Sequence, residues 1–319
     1  MAKIVVTDYT FDSLDPEREI IESAGHELIG ANCRTQQELI DLCCDADVVI
    51  TQFAKVDESV VESMQHAKAI VRYGIGYDNV AFVKAAECGI PVCNIPDYCI
   101  DEVADHTLAF ILAATRDVRA NNELIASGNW GLARGVGTMV ALSDITVGII
   151  GLGRIGQEVA ARLNGFKCRI IGSDPVLSSE QAAELGCELL SQQDVFSQAD
   201  VLTLHCPSLD ATKNMVNAES LATMKQGSVL INIGRGDLVD LDALVAAIES
   251  GKIMAAGLDV FSTEPLPLEH PIRSMSNVML SSHVASVSPK AIKSLRESVA
   301  GIALKAIAGE PLPNVVNEV

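Results

Sequence analysis

Short apolar runs alternate with helical patterns through the first hundred residues. "KIVVTD" gives way to "DPEREIIESAG", "HELIGA" to "TQQELIDLCCDA", "DVVITQ" to "DESVVESMQ", and "AIVRYG" to "NVAFVKAAECG". The apolar runs are too short for helices and rich in β-branched residues, so they read as strands with helices between them. Strand alternating with helix predicts a parallel α/β sheet. Gly25 and Gly89 close two of the helical patterns, where left-handed caps are expected.

Two prolines in "IPVCNIPDY" interrupt the series, and a long helix is expected over "DEVADHTLAFILAATRDV". A polar, glycine-rich stretch, "NWGLARGVGTM", separates that helix from a second alternating series that begins at Ile145. Its strand-like runs are "ITVGIIG", "KCRIIGSD", "VLTLHC", "SVLINI", "AAGLDV" and "NVMLSS". Two α/β units hinged near Asn94–Tyr98 account for the pattern. The amphipathic helix after Ser288 has no strand of its own to cover, so it must pack elsewhere.

Composition narrows the choices. Hydrophobic residues make up 49% of the chain and aromatic ones only 4%, so both cores must be aliphatic, as in parallel sheets covered on both faces. A net charge of −19 repels phosphate backbones and argues against nucleic-acid binding. Met1-Ala2-Lys3 runs directly into an apolar strand, so no signal peptide is read, and no run approaches the roughly 18 residues of a membrane span. The nine cysteines form no CxxC pair. Cys88, Cys93 and Cys99 lie near one another without a second ligand pair, so no metal site is expected and buried thiols in a reducing cytoplasm are.

The second series opens on "ITVGIIGLGRIGQEVAARL", which contains Gly151-Leu152-Gly153-Arg154-Ile155-Gly156. The motif alone is weak, but here an apolar strand precedes it and an Ala-rich helix follows. Gly151 permits the tight turn, Gly153 admits a pyrophosphate, and Gly156 lets helix and strand approach. The helix N-terminus offers N–H groups and the positive end of its dipole. Asp174, at the end of the next strand, is placed to accept from adenosine ribose hydroxyls and to repel a 2′-phosphate, which favours NAD over NADP. The earlier "RYGIGYDN" carries Gly74 and Gly76 at a strand-to-helix turn. It is either an anion-binding set of amides or simply a tight turn.

Four later residues fall at strand ends. Arg235 follows "INI" between Gly234 and Gly236, glycines expected to keep the approach to a carboxylate-binding guanidinium open. Asp259 and Glu264 lie in "GLDVFSTEP", and His283 in "SSHVAS". A carboxylate bonded to an imidazole fixes its tautomer and favours its protonated form. In a parallel sheet, strand C-termini converge where ligands bind. Of the other histidines, His106 lies inside a helix, and His205 ends a strand near the expected cofactor with no carboxylate at useful spacing.

With those residues in view, the chain resembles the D-isomer-specific 2-hydroxyacid dehydrogenases. The likeness runs from "VRYGIGYDNV" through "NIPDY", "VADHTL", "GIIGLGRIG", "TLHCP" and "INIGRGDLVD" to "DVFSTEP" and "SSHVAS". It implies an α/β fold of two Rossmann/flavodoxin-like parallel-sheet domains. An NAD-binding domain over residues 99–286 is inserted into a discontinuous substrate domain formed by 1–98 and 287–319. Arg235, Glu264 and His283 take the family's catalytic positions. Arg154, Ile155, Cys206, Pro207, Thr212, Ile233, Gly234, Asp259 and Ala285 join the glycines, Asp174, Arg235 and His283 as cofactor contacts. Arg72, Tyr73, Gly74, Ile75 and Gly76 are implied, with Arg235, to hold the substrate.

The implied activity is NAD-dependent reduction of a small 2-oxo acid of the glyoxylate, hydroxypyruvate or phosphoglycerate type, by a cytoplasmic homodimer formed through the NAD domain. The details look closest to a bacterial branch related to the C-terminal-binding-protein corepressors, so an NAD-sensing scaffold is the alternative. "HVASVS" lacks the tryptophan those corepressors place after the histidine, and Ala81 stands where the family usually has aspartate. Ending at Val319, the chain is expected to lack the regulatory domains appended to many phosphoglycerate dehydrogenases.

Overall fold

Each apolar run in the first hundred residues is a strand of one parallel sheet in the computed structural model, which describes residues 1–319. The elements are β1 (Lys3–Val6), α1 (Asp15–Ser23), β2 (Glu27–Gly30), α2 (Gln36–Cys43), β3 (Val48–Thr51), α3 (Glu58–Ser63), β4 (Ala69–Arg72), α4 (Phe82–Glu87) and β5 (Val92–Cys93). Polar side chains start the helices: Thr35 forms a capping box with Glu38, and Asp57 accepts from the Val60 N–H. Gly25 and Gly89 end two of them in the left-handed region, at φ +82° and +69°.

The strand order is β2-β1-β3-β4-β5, the doubly wound order of flavodoxin-like sheets. Alternation sends Ile4, Val6, Val48, Ile50 and Val71 to one face and Val5, Val49, Ile70 and Val92 to the other. Helices α2, α3 and α4 supply Leu39, Val60, Val61 and Ala85 to the second face.

The second series begins with α5 (Ile100–Thr115) and α6 (Val118–Ala126). The single helix expected over 101–118 breaks before Asp117, which is left-handed at φ +52° and buried, paired with Arg134. Aspartate tolerates that conformation better than most residues, and the ion pair holds it there. There follow β6 (Thr146–Ile150), α7 (Arg154–Asn164), β7 (Arg169–Ser173), α8 (Ser179–Glu184), β8 (Cys187–Leu189), α9 (Gln192–Gln198), β9 (Val201–Leu204), α10 (Ala218–Thr223), β10 (Ser228–Asn232), α11 (Leu241–Glu249), β11 (Ile253–Leu258) and β12 (Val278–Leu280). Edge strand β8 is short and only half apolar, which hid it from the hydrophobic pattern.

All seven of these strands are parallel, in the order β12-β11-β10-β9-β6-β7-β8. The order reverses between β6 and β9, the switch point where doubly wound sheets bind ligands beyond their strand ends.

The last helix, α12 (Pro289–Ala308), lays Leu295, Val299, Ile302 and Ala303 on the β1-side face of the first sheet beside Ile4, Val6 and Ile50. Arg296 grips the fully buried Glu17 of α1 with two bonds, at 2.7 and 2.5 Å. The segment beyond α12 pairs Val315 with Cys93, and Asn317 accepts from the Val92 N–H. Contacts accordingly divide the chain into two units, Met1–Tyr98 with Ser288–Val319, and Cys99–Val287.

Candidate active site

In the larger unit the C-terminal ends of β6, β7, β9, β10, β11 and β12 carry the residues singled out from sequence. The β6–α7 turn is built on three glycines with three different reasons. Gly151 has φ +89°, and a Cβ there would lie 2.7 Å from the backbone of His205 and Cys206, so the turn seats directly on the end of β9. A Cβ on Gly156 would meet the Gly151 carbonyl oxygen at 2.0 Å, which fixes how close α7 comes to β6. A Cβ on Gly153 meets nothing within 4 Å. Gly153 and Arg154 are exposed, and Gly153 caps α7 with no side-chain bond to its first-turn amides. That exposed, positively polarised turn suits a dinucleotide pyrophosphate.

Asp174 lies beside the turn. One carboxylate oxygen accepts from the Leu152 N–H at 2.8 Å, the other from Val176 and Leu177 at 2.8 and 3.1 Å. A carboxylate offers roughly four acceptor sites, so capacity remains for ribose hydroxyls.

The β9 and β10 loops are tied to each other. Thr212 Oγ1 donates to the Pro207 carbonyl at 2.7 Å, and Ser208 donates to Asp237 at 2.6 Å. The Cys206 thiol is pushed up to about 11 by burial and faces the Met215 sulfur. His205 bonds Thr203 Oγ1 at 2.9 Å, and desolvation lowers its pKa to about 4, leaving it neutral. Ile233 is buried. Buried Asn232 pins the Arg235 turn, donating to the Arg235 carbonyl and accepting from the Gly234 N–H.

The glycines around Arg235 serve packing rather than openness. A Cβ on Gly236 would lie 1.8 Å from the Phe261 carbonyl carbon, so only glycine lets this turn lie against the Phe261–Ser262 backbone. Arg235 itself is half-buried, with Nη1 donating to the Gly234 carbonyl at 2.9 Å.

His283 and Glu264 meet. Imidazole Nδ1 and carboxylate Oε2 are 2.8 Å apart, which orients the ring. The other Glu264 oxygen accepts from the Phe261 N–H at 2.9 Å. Burial pushes the Glu264 carboxyl up, but the bond and charge of His283, the Phe261 N–H and the Arg235 charge together bring it below its ordinary value.

His283 is left-handed at φ +58°, a conformation that costs a non-glycine residue roughly 1–2 kcal/mol. Asp259 holds it there. Its carbonyl accepts from the His283 N–H at 2.7 Å, and its carboxylate accepts from Val284 and Ala285, each at 2.9 Å, and from Ser281 Oγ at 2.5 Å. Sequence reading missed Ser281, Asn232, Ser208 and Asp237, whose roles are contacts with residues distant or local that carry no motif.

In the smaller unit, the loop after β4 carries Arg72 to Gly76. Arg72 is buried, Nη1 donating to the Tyr73 carbonyl at 2.7 Å, with the guanidinium folded where a Gly74 side chain would go. It also stacks 5.9 Å from the Phe53 ring centroid. Tyr73 departs from the substrate-contact expectation. Its ring is core, its hydroxyl donates to Glu17 at 3.0 Å, and its N–H donates to the Thr51 carbonyl. Apolar strand-end position, not exposure, placed it in that motif. Gly74, at φ +142°, donates to the Arg72 carbonyl, while Asn94 holds the Ile75 carbonyl at 2.6 Å. The Ile75 and Gly76 amides enter no backbone bond.

Comparison with known proteins adds to this geometry. Residues 108–285 match a family model described as D-isomer specific 2-hydroxyacid dehydrogenase, NAD binding domain. The chain is 37% identical over 319 residues to D-3-phosphoglycerate dehydrogenase of Methanocaldococcus jannaschii, covering 99% of this chain and 60% of that one. It is 35% identical over 289 residues to glyoxylate reductase of Pyrococcus furiosus, covering 89% and 86%. A D-lactate dehydrogenase from Aquifex aeolicus, solved with NAD and lactic acid, superposes with a TM-score of 0.86 at 25% identity, covering 97% and 96%. The chain spans 60% and 56% of the two phosphoglycerate dehydrogenases, from Methanocaldococcus and Synechocystis, that it matches over nearly its whole length.

Proposed function

Since the chain belongs to the D-isomer-specific 2-hydroxyacid dehydrogenase family, we propose that it reduces a small 2-oxo acid with NADH, and oxidises the 2-hydroxy acid in reverse. The observation that carries this reading is the 2.8 Å His283–Glu264 pair in the same unit as the glycine turn. When bound, the cofactor supplies the hydride. Gly153, Arg154 and Ile155 would hold its pyrophosphate, Asp174 its adenosine ribose, and the loop of Cys206, Pro207 and Thr212 would lie along it. Asp259, with three of roughly four acceptor sites used, keeps one for a carboxamide N–H, next to Ile233, Gly234 and Ala285. Asp174 would repel a 2′-phosphate, so NADH is preferred to NADPH.

His283, with Nδ1 on Glu264, delivers a proton from Nε2 to the forming alkoxide. Arg235 binds the carboxylate and polarises the carbonyl. In the smaller unit the Ile75 and Gly76 amides are the groups available to a carboxylate, with Arg72 behind them. Glyoxylate, hydroxypyruvate and phosphohydroxypyruvate are the substrate class. The ordered catalytic pair weighs against the NAD-sensing scaffold.

We assign the working form as a homodimer joined through the larger unit. No residue of α6 is buried, and Val118, Ile125, Trp130, Leu132 and Val136 are exposed, Trp130 to 93%. Exposed apolar residues gathered in one region of the chain suit a partner surface. No helix is long and apolar enough to cross a membrane. None of the nine cysteines forms a disulfide, in keeping with a reducing cytoplasm.

A panel of 2-oxo acids assayed with NADH and NADPH tests the reading. Substrate-dependent NADH oxidation is expected, and His283→Gln should lower kcat about 100-fold or more while NADH affinity stays within about twofold. Binding of NADH without turnover of any panel member, or full turnover in His283→Gln, overturns it.

A further inference from the structure

His106 plays no part in the proposed chemistry, yet it reaches the turn that carries His283. It lies on α5 with Phe110 four residues on, the two rings edge-on with centroids 4.6 Å apart. Phe110 packs on Gly257 of β11, where a Cβ would lie 2.7 Å from the ring, so the bare glycine lets α5 settle onto the sheet. That seating brings His106 Nε2 within 3.1 Å of Ser281 Oγ. Ser281 in turn lies 2.5 Å from Asp259 Oδ1, the same oxygen that accepts from the Val284 N–H.

Proton counting fixes the direction of this chain. Asp259 accepts two backbone N–H groups with its carboxylate, so the single Ser281 hydroxyl proton goes to Asp259. The serine oxygen is then an acceptor toward His106, and Nε2 carries a proton and donates. The series runs His106 Nε2–H to Ser281 Oγ, Ser281 O–H to Asp259, and Asp259 to the amides following His283. Its far end is the left-handed His283 backbone, the one strained residue among the proposed catalytic groups.

We propose that His106 is a positioning residue: through Ser281 and Asp259 it locks the left-handed turn that presents His283 to substrate. The inference deepens the reading of His283 as proton donor and rests on it for the effect on rate. The N-terminal half of α5, which carries His106, is also held by Arg162 of α7, which pairs with both Asp101 and Asp105, at 2.9 and 2.8 Å. His106 is the group through which this anchored segment bonds the turn.

The test uses the full chain with His106→Leu, His106→Gln, Ser281→Ala and the Leu/Ala double variant. Amide hydrogen exchange at Val284 and Ala285 should speed up about tenfold or more in His106→Leu and Ser281→Ala. His106→Gln, whose amide N–H stands in for Nε2–H, should restore protection. kcat for 2-oxo acid reduction should fall in parallel by about tenfold, with KM and NADH affinity within about twofold, and the double variant should be no worse than either single one. Unchanged exchange in Ser281→Ala, additive losses in the double variant, or a glutamine variant as impaired as leucine would each overturn the relay. A wild-type chain that turns over no 2-oxo acid would defeat the functional reading alone, since the exchange measurements decide the relay without substrate. If the leucine variant fails to fold, Ser281→Ala and the glutamine variant still decide it.

Discussion

Glu264 shows how a single carboxylate is made to serve another group. Its ordinary titration is opposed in two directions, burial raising it and the charges of His283 and Arg235 lowering it, with the lowering in excess. A carboxyl lowered in the fold contributes stability above its unfolded value, near 4.3, and loses it as pH falls through the folded value. At neutral pH it is an anion facing an imidazole. Glu264→Gln removes that anion, so the alkaline limb of 2-oxo acid reduction should move to lower pH in a kcat profile. A profile superimposable on the wild type would mean that the carboxylate only orients the ring. Residue chemistry of this kind was partly readable from sequence, because Arg, Glu and His at strand ends have few other uses. Ser281 and Asn232 were not, since a hydroxyl or amide that bonds a neighbouring turn leaves no mark on hydrophobic pattern or motif spacing.

Elements impose a second level of constraint, visible in the contrast between two glycines that follow strands of the same sheet. Gly236 has the Phe261 backbone where a side chain would stand, whereas Gly153 looks into open space. Gly236→Ala should therefore lower unfolding free energy by about 1–3 kcal/mol, measured by urea denaturation, by prying β10 and β11 loops apart. Gly153→Ala should leave stability within about 0.5 kcal/mol and weaken NADH binding about tenfold, measured by fluorescence titration. Equal effects of the two changes would contradict the distinction. The strand–glycine–helix pattern was legible because it depends on short-range spacing. The break between α5 and α6 was not, because a buried Asp117–Arg134 pair across a loop overrides a helical run that local propensity continues.

At the scale of the whole molecule, the exposed apolar residues of the 118–136 region bear on the proposed dimer. Wild-type chain should sediment at twice its 33.8 kDa mass, and Trp130→Glu should sediment as a monomer. A dimeric Trp130→Glu would place the interface elsewhere. Both sheets were foreseeable from the alternation of apolar runs; periodicity alone says that a face is apolar and never what covers it, so the return of α12 to the first unit came from the family resemblance and not from the pattern. That placement bears on synthesis. The first sheet leaves the ribosome long before α12, which brings Leu295, Val299 and Ile302 to the face holding Ile4, Val6 and Ile50. At about 5–20 residues per second, the intervening segment 99–287 takes roughly 10–40 s to be made. The nascent chain must carry an uncovered aliphatic face through that interval, while the later unit, continuous in sequence, is free to fold first.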